Sequence, residues 1–385
     1  MTEPRQYDII IVGAGPAGIS TALHLAQIEP DLVTRTLILE KASHPRHKLC
    51  GGGLLPDAEA ILRSLGLDSG EVPHCDVDWA WFHYDGKGFR MRAEKGAAYA
   101  FRTIRRHEFD AWLVGKARAK GFLIQENTTV KRIFASGAQM VLETDRGEYR
   151  ASVVIGADGS KSVARRFIMP QETTHTARLL EVVTEPRPER SFHEQANSYF
   201  DFLYVPQGIL GYTWDFPAVE NGRPVRVRGI YDSNVHSLRT TLSLPEALAD
   251  ELAHHDCRLE DYKLEGHPLR WFEPKSAFSA TRVLLVGDAA GADALFGEGI
   301  SIALGYGRLA ALAVQEAFTS QDFNFLGYRR MVLRSALGKA LSRRTWMARF
   351  FFRFRNRPIQ AFVWRRLGRL VEWAMQTFMI GWAKQ

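Results

Sequence analysis

The sequence predicts an α/β protein in which a parallel-stranded domain carries an inserted, mostly antiparallel β-sheet domain and a C-terminal helical segment. Three observations predict this fold. An apolar run near the N-terminus leads into closely spaced glycines and then into a helical pattern. Stretches with alternating side chains, typical of strands, lie in the middle of the chain. The end of the 385-residue chain is basic and aromatic, with helical spacing.

Charge is distributed unevenly along the chain. The net charge is +7, yet residues 329–385 hold fourteen Lys and Arg against one acidic residue, Glu372. This segment therefore carries +13 and the remainder −6, so the basicity resides in the C-terminal segment. Three widely spaced cysteines fit free thiols in a reducing, cytoplasmic compartment and predict no metal site. No apolar stretch approaches the roughly 18 residues of a spanning helix.

The N-terminal stretch "YDIIIVGAGPAGISTALHLAQ" has the pattern of a dinucleotide site. A buried strand over 7–12 runs into Gly13-x-Gly15-x-x-Gly18 and then a helix, and the strand is not expected to be a signal peptide. Gly13 permits the tight turn, Gly15 lets a pyrophosphate approach the backbone, and Gly18 lets helix and strand pack closely. The helix N-terminus would face the phosphates with its positive dipole end.

A second apolar strand, "TLILE", ends in Glu40, twenty-two residues after Gly18. An acidic residue at this place accepts hydrogen bonds from a ribose hydroxyl of the dinucleotide. Lys41, directly after it, is assigned to the same cofactor site. The alternative is a glycine turn followed by an exposed glutamate.

Two distant segments specify the dinucleotide. "ASVVIGADGSKSVARR" is a strand running into Asp158-Gly159, and "TRVLLVGDAAGADALFGEGISIALGYG" is a strand running into Gly287-Asp288. With the first glycine motif, these elements resemble the flavoprotein monooxygenase and reductase superfamily of the p-hydroxybenzoate hydroxylase type. The resemblance implies a Rossmann-type domain that binds FAD, with Asp158 and Asp288 at the cofactor. The alternative is that both aspartates only form turns and caps.

The same resemblance assigns further cofactor residues. Asp288 would bind ribityl oxygens, and Gly297, Gly299 and Ile300 would lie near the pyrimidine carbonyl of the flavin. A helix N-terminus there would stabilise negative charge on the reduced ring. Arg106 matches the R-x-x-F-D element of the family, with Arg105 as a close competitor.

The loop "PRHKLCGGGLLP" is similar to the signature of the geranylgeranyl reductase branch, Pro-Arg-x-Lys-x-Cys-Gly-Gly-Gly. The resemblance implies that Cys50, Gly51 and Gly52 border the isoalloxazine ring. Arg46 and Lys48 would favour the thiolate of Cys50 if they point at it. Cys50 is therefore a candidate proton donor; the alternative is a small, inert residue under the ring.

A second element of that branch, Y-x-W-x-F-P, begins at Tyr212. Alternation places Tyr212, Trp214 and Phe216 on one face of a strand. The resemblance implies that this face lines the substrate pocket over the flavin, with Tyr212 and Trp214 supporting catalysis. An ordinary aromatic core strand is the alternative. The chain departs from the family after Pro217, where "VRVRGIYDSNVH" has the single glycine Gly229.

The C-terminal segment predicts contact with an anionic membrane surface through residues 343–385. Trp346, Phe350 and Phe354 recur at helical spacing beside an arginine row, and Pro358 is expected to end or kink this helix. Aromatic and basic side chains together suit a peripheral position on the inner face of the membrane. Packing of the aromatics on the body of the protein stays open, and nucleic acid is not expected because no nucleic-acid fold accompanies the charge.

These elements predict a discontinuous organisation. Residues 1–75, 100–170 and 275–320 would form the FAD-binding domain, 76–99 and 171–274 the substrate domain, and 321–385 the C-terminal helices. Gly305-x-Gly307 lies within a helical pattern and predicts a packing surface rather than a second nucleotide site. NAD(P)H or a reduced redox protein would therefore bind only transiently as electron donor.

The resemblance implies an FAD-dependent reductase that saturates isoprenoid double bonds of the geranylgeranyl type in a lipid, quinone or pigment, by hydride transfer from reduced flavin. Two alternatives remain open. One is an FAD-dependent monooxygenase that hydroxylates a lipophilic substrate. The other is a prenyl-binding escort protein without redox activity. The oligomeric state does not follow from the sequence.

Overall fold

The computed structural model describes residues 5–93, 98–172, 176–186, 198–236, 240–378 and 380–384. Its helices are α1 (Pro16–Ile28), α2 (Pro56–Ser64), α3 (Arg106–Ala119), α4 (Val163–Ile168), α5 (Leu244–Ala253), α6 (Ile300–Ser320), α7 (Tyr328–Arg334), α8 (Ala336–Phe351), α9 (Arg357–Arg366) and α10 (Gly368–Phe378). Its strands are β1 (Arg5–Val12), β2 (Thr36–Leu39), β3 (Gly53–Leu54), β4 (His74–Val77), β5 (Trp79–Tyr84), β6 (Lys87–Arg92), β7 (Phe101–Ile104), β8 (Leu123–Gln125), β9 (Val130–Ser136), β10 (Gln139–Thr144), β11 (Gly147–Gly156), β12 (Thr176–Thr184), β13 (Ser198–Asp201), β14 (Gly211–Glu220), β15 (Arg223–Asp232), β16 (Glu265–Arg270), β17 (Ser279–Ala280) and β18 (Val283–Leu285).

The first sheet has the strand order β17-β18-β11-β1-β2-β8, and β10 and β9 extend from β11 as an antiparallel hairpin. Strands β18, β11, β1, β2 and β8 run parallel to their neighbours. Ile9, Ile10 and Ile11 of the central strand β1 are all fully buried. A continuous apolar run of this kind is what a parallel strand covered on both faces requires. The predicted parallel-stranded domain is confirmed.

The second sheet has the order β16-β12-β15-β14-β13-β5-β6. Its pairings are antiparallel except for β13 with β5. The predicted mostly antiparallel sheet is therefore confirmed. A small sheet of β3, β7 and β4 carries the end of the glycine loop, because Gly53 pairs with Thr103.

Helices α1 and α6 pack closely against each other. A Cβ on Gly307 would overlap the hydroxyl of Ser20, and that hydroxyl donates a hydrogen bond to the carbonyl of Leu304 at 2.7 Å. Gly305 lies against the indole of Trp382, which leaves no space for a side chain there. The prediction that these glycines form a packing surface is confirmed.

Helices α9 and α10 lie against β6 at the edge of the second sheet, and α8 packs against α6 and α7. Trp364 of α9 stacks on Phe89 of β6 with ring centroids 6.0 Å apart. Pro358 was expected to end or kink the aromatic helix; the helical segment does break before it, but α8 already ends at Phe351, and Pro358 stands in the first turn of α9. Proline fits that turn because its missing N–H has no partner to lose. Among the described residues, no helix is long and apolar enough to cross a bilayer.

Candidate functional site

A cavity of about 980 Å³ lies between the two large sheets. Sixteen of the seventeen residues assigned to cofactor or substrate line it: Gly13, Gly15, Glu40, Lys41, Cys50, Gly51, Gly52, Arg106, Asp158, Tyr212, Trp214, Phe216, Asp288, Gly297, Gly299 and Ile300. Only Gly18 lies outside the lining. Segments separated by as much as 287 residues, from Gly13 to Ile300, thus meet around one space.

The turn between β1 and α1 has the backbone that the glycines predict. Gly13 has φ +106°, a conformation that favours glycine, and a Cβ there would overlap the carbonyl of Ala157. A Cβ on Gly18 would overlap the carbonyl of Gly13, so this glycine serves helix–strand packing. At Gly15 the nearest atom to a Cβ position is Nη2 of Arg46 at 3.5 Å. A guanidinium therefore stands beside the phosphate-sized opening at the start of α1.

Glu40 is buried at the end of β2 and tied to the turn. Its two carboxylate oxygens accept hydrogen bonds from the backbone N–H of Ala14 at 2.8 Å and of Ala42 at 3.1 Å. Nε of Arg46 is 3.7 Å from the same carboxylate. Each oxygen retains acceptor capacity for a ribose hydroxyl. Lys41 is exposed at the rim of the cavity.

The two aspartates of the distant segments differ in their bonding. Asp158 accepts hydrogen bonds from the hydroxyl of Ser162 at 2.5 Å and from the backbone N–H of Val163 at 2.6 Å, so it caps the start of α4. The capping alternative therefore describes the carboxylate of Asp158. Among the described residues, Asp288 accepts only one long hydrogen bond, 3.4 Å, from the hydroxyl of Ser160. Burial raises the pKa of Asp288, and nearby Lys48 and Arg106 act in the opposite direction.

Lys48 forms a pair that the sequence did not indicate. Its Nζ is 2.6 Å from Nε2 of His267 on β16, on the wall of the cavity. Burial lowers the pKa of Lys48 to about 8, although Asp288 opposes the change. Burial and the Lys48 charge lower the pKa of His267 to about 3. His267 is therefore neutral at physiological pH and accepts the hydrogen bond that the Lys48 ammonium group donates.

The structure distinguishes the two competing arginines. Arg106, the first residue of α3, lines the cavity and donates to both carboxylate oxygens of Asp110 at 2.7 and 2.9 Å. Burial alone would lower the pKa of Arg106, but Asp110 and the nearby Cys50 more than offset this, and the pKa is raised. Arg105 points away from the cavity and binds Glu220 at 3.0 Å. Arg106 is the residue that can contact a cofactor.

The glycine loop faces the aromatic strand directly. A Cβ on Gly51 would stand 3.1 Å from Nε1 of Trp214 and 3.2 Å from Cε2 of Phe216. Gly52, with φ +80°, lies against the carbonyl of Ile104. Cys50 accepts a weak hydrogen bond at its Sγ from the N–H of Gly52 at 3.4 Å. Arg46 and Lys48 point to carboxylates and to His267 respectively, as given above.

The aromatic face of β14 is buried and continuous. Ring centroids of Tyr212 and Trp214 are 6.2 Å apart, and those of Trp214 and Phe216 are 6.4 Å apart. The Tyr212 hydroxyl donates to the carbonyl of Phe296, and burial raises its pKa well above the usual value. Nε1 of Trp214 is buried and has no hydrogen-bond partner among the described residues. This donor is available to a molecule bound in the cavity.

The single glycine of "VRVRGIYDSNVH" has a specific role. Gly229 stands opposite Trp214 on β14 and opposite Glu181 on β12. A Cβ on Gly229 would overlap both the Trp214 ring and the Leu180 carbonyl. Although this stretch departs from the family pattern, it keeps the glycine that leaves room for the Trp214 indole.

Glu181 is a buried carboxyl directly behind the glycine loop, which sequence reasoning missed. Burial raises the pKa of Glu181 to about 7, while Arg105 and the backbone N–H of Cys50 favour its ionised form. The Arg105 Nη1 is 3.7 Å from it. No local motif marks this glutamate, since its partners are about 75 and 130 residues away in the chain.

These residues fit an FAD molecule. The opening at Gly15 suits a pyrophosphate, the Glu40 carboxylate suits a ribose, and the half-buried Asp288 has few partners among the described residues. At the far end, Gly297 has φ +64° with a Cβ position 2.8 Å from the Tyr231 ring, and α6 begins at Ile300. Backbone N–H groups at this helix start can stabilise negative charge on a bound ring. No cluster of potential metal ligands occurs among the described residues.

Fold and site together define an FAD-dependent oxidoreductase with an apolar compartment beside the cofactor. The sequence matches the FAD binding domain family over residues 6–294, and the chain belongs to this family. The chain is also similar to named reductases over most of its length and is geranylgeranyl reductase-like.

Two curated relatives with reductase names cover most of the chain. Digeranylgeranylglycerophospholipid reductase 1 of Methanopyrus kandleri is 30% identical over 334 residues, which cover 82% of this chain and 82% of that protein. Menaquinone reductase of Mycolicibacterium smegmatis is 29% identical over 331 residues, covering 79% of this chain and 75% of that protein.

Solved structures agree on the fold. A geranylgeranyl bacteriochlorophyll reductase-like protein of Thermoplasma acidophilum superposes with a TM-score of 0.79 at 19% identity, over 99% of this chain and 98% of that one. The flavin-dependent halogenase CmlS superposes with a TM-score of 0.64 at 19% identity, over 92% of this chain and 68% of that one. The fold therefore hosts more than one FAD chemistry, and the reaction has to be argued from the site.

Proposed function

We propose that the protein is an FAD-dependent reductase that saturates isoprenoid double bonds of the geranylgeranyl type, in a chain carried by a lipid, a quinone or a pigment. One observation carries this proposal. The glycine loop at Gly51 lies directly against the aromatic strand at Trp214, and both line the cavity that the cofactor residues line. The names of the relatives support the same substrate class.

The compartment beside the loop suits a hydrocarbon chain. Apart from the β14 aromatics, its apolar lining comprises Leu55, Phe82, Met91, Phe101, Leu179, Phe200, Leu269, Phe296, Met375 and Ile380. An isoprenoid chain gains free energy by leaving water for such a wall, at about 25 cal/mol per Å² of apolar surface. The same wall excludes water from the reacting carbons.

Saturation of one isolated double bond takes a hydride and a proton. FAD, when bound and reduced, supplies the hydride. Positive charge develops on one carbon, and the ring faces of Tyr212 and Trp214 stabilise it. These two residues therefore act by position and by their π-electrons.

Cys50 is the proton donor in this proposal. The Tyr212 hydroxyl already donates to the Phe296 carbonyl and keeps its proton because burial raises its pKa. Cys50 lies in the loop itself, beside Arg106. Its thiol proton goes to the second alkene carbon, and solvent or a neighbouring acid reprotonates the sulfur. The reducing equivalents come from NAD(P)H or a reduced redox protein that binds transiently.

The test is an anaerobic assay of the purified holoprotein with geranylgeranyl lipid and dithionite. We expect the product to gain two mass units for each bond saturated. If the mass instead rises by 16 only in air, with NAD(P)H-driven oxygen consumption that depends on substrate, the protein is a monooxygenase. A colourless protein that binds prenyl lipid and cannot be loaded with FAD would contradict the reductase and favour the escort alternative.

A further inference from the structure

The C-terminal region carries most of the large apolar side chains that are exposed among the described residues. Large exposed apolar side chains elsewhere are Leu123, Leu264 and Leu326. Six more lie within 28 residues of one another, between 41% and 64% exposed, and are called the tail surface here: Trp346, Phe350, Phe354, Phe362, Leu370 and Trp373. Monomeric proteins rarely leave such a concentration of aromatic rings in water without an interaction partner.

Helix α10 has apolar side chains on two opposite sides. Met375 is buried and lines the cavity, as does Ile380 just beyond the helix. Leu370 and Trp373 of the same helix point outwards, 56% and 54% exposed. A single helix therefore separates the substrate compartment from the tail surface. The alternative that all these aromatics pack on the body of the protein does not hold for the outward side chains.

The arginines of this region fall into two groups. Arg344 is buried and pairs with Asp293, Arg349 pairs with Glu273 at 2.6 Å, and Arg365 lies 3.6 Å from Asp85. Another set is exposed and has no ion pair within 4 Å among the described residues: Arg353, Arg366 and Arg369. These charges are available to an external anion. Along the chain, the three arginines lie between residues of the tail surface.

We propose that the tail surface docks onto an anionic lipid bilayer and that the isoprenoid chain enters the cavity from the bilayer past α10. Aromatic side chains enter the headgroup boundary, and arginines bind acidic headgroups. The route of entry rests on the proposed function, because only a lipid-borne chain needs it.

Nucleic acid fits this surface less well. Trp346 and Phe350 stack face to face with centroids 5.3 Å apart, and Phe354 packs edge-on against Phe350 at 5.1 Å. Each ring thus already has an aromatic neighbour on part of its surface, whereas single-strand binding needs free faces for the bases. Leu370 and Phe362 add exposed apolar surface, which makes no favourable contact with the phosphate groups of a nucleic acid.

The docking experiment uses FAD-loaded protein and flotation with vesicles of phosphatidylcholine alone or with one-quarter phosphatidylglycerol. One variant combines Leu370→Ser and Trp373→Ser, and another combines Arg366→Gln and Arg369→Gln. Matched controls are Leu326→Ser, an exposed apolar residue elsewhere, and Arg146→Gln, an exposed arginine elsewhere. All changed side chains are exposed, and the flavin spectrum reports whether each variant is folded.

We expect wild type and controls to float with anionic vesicles only, and both double variants to bind about tenfold more weakly or worse. Equal binding by the double variants, equal binding to neutral vesicles, or displacement from vesicles by oligonucleotide would overturn the proposal. Substrate dispersed in detergent separates the two hypotheses: the double variants should reduce it at the wild-type rate and lose rate only with vesicle-borne substrate. If wild type reduces neither form yet floats as expected, the proposed function fails and the docking surface stands.

Discussion

Gly51 and Trp214 lie against each other in the wall of the cavity, with the Cβ position of the glycine 3.1 Å from the indole nitrogen. The Gly51 backbone and a rigid ring therefore stand at van der Waals distance without a side chain between them. This contact explains why the loop needs a residue without a side chain at Gly51.

Gly51→Ala should place a methyl group against Trp214 and Phe216, neither of which can move far within a packed aromatic face. We expect a loss of about 1–3 kcal/mol in the free energy of unfolding, measured by urea titration of the FAD-loaded protein. Gly53→Ala is the matched control two residues away, where the nearest atom to a Cβ position is 3.9 Å distant. Equal stability of the two variants would contradict this account of the loop.

Gly229→Ala should be more damaging, because its Cβ would overlap both the Trp214 ring and a backbone carbonyl. We expect a loss of about 3 kcal/mol, at the upper end for overpacking, and a change in Trp fluorescence. Gly115→Ala, at a helix position with no neighbour within 4 Å, should instead raise stability by about 0.5–1 kcal/mol. An unchanged indole environment in Gly229→Ala would show that the glycine does not support Trp214.

Cys50→Ala should still bind FAD, since the loop presents backbone to the isoalloxazine ring. The variant should slow anaerobic alkene reduction about 100-fold, because it lacks the proton donor. Cys50→Ser should recover part of the rate. Cys75→Ala, outside the cavity lining, should leave the rate unchanged. Full activity of Cys50→Ala would reduce the thiol to a structural role.

Asp57 ties the C-terminus to α2, accepting hydrogen bonds from the backbone N–H of Gly381 at 3.0 Å and of Ala383 at 2.7 Å. Burial raises its pKa from 3.8 to about 6, although these two bonds act in the opposite direction. Because the folded state holds this proton more tightly, the stabilisation is complete below pH 3.8 and is lost as pH rises through about 6.

Urea unfolding of wild type and Asp57→Asn over that range measures this contribution. The stability of wild type relative to the variant should fall by roughly 2 kcal/mol between pH 4 and 6.5. A difference that rises with pH would mean that the carboxylate form is the one the fold prefers.

Local motifs predicted those parts of the site that depend on contiguous residues. The turn at Gly13, the acidic strand end at Glu40 and the aromatic alternation at Tyr212 each follow from spacing of a few residues and from strand or helix periodicity. The resemblance to the reductases predicted which motifs, far apart in the sequence, meet in the fold. Together they found sixteen lining residues of the cavity.

The rest depends on tertiary contacts that no spacing encodes. His267 meets Lys48 across 219 residues, and Glu181 meets the Cys50 loop because two sheets pack together. The end of α8 at Phe351 also escaped prediction, since the aromatic row continues past it to Phe354. Asp158 differs in the opposite way. Its motif predicted a place at the cofactor, but its carboxylate caps the start of α4.

The most direct measurement is a single turnover without oxygen. Holoprotein reduced to completion is mixed with one equivalent of geranylgeranyl lipid, and the flavin absorbance and the lipid mass are followed together. The account predicts reoxidation of the flavin in step with a gain of two mass units, and loss of both in Trp214→Ala. Flavin that stays reduced until air is admitted, with unaltered lipid, would contradict it.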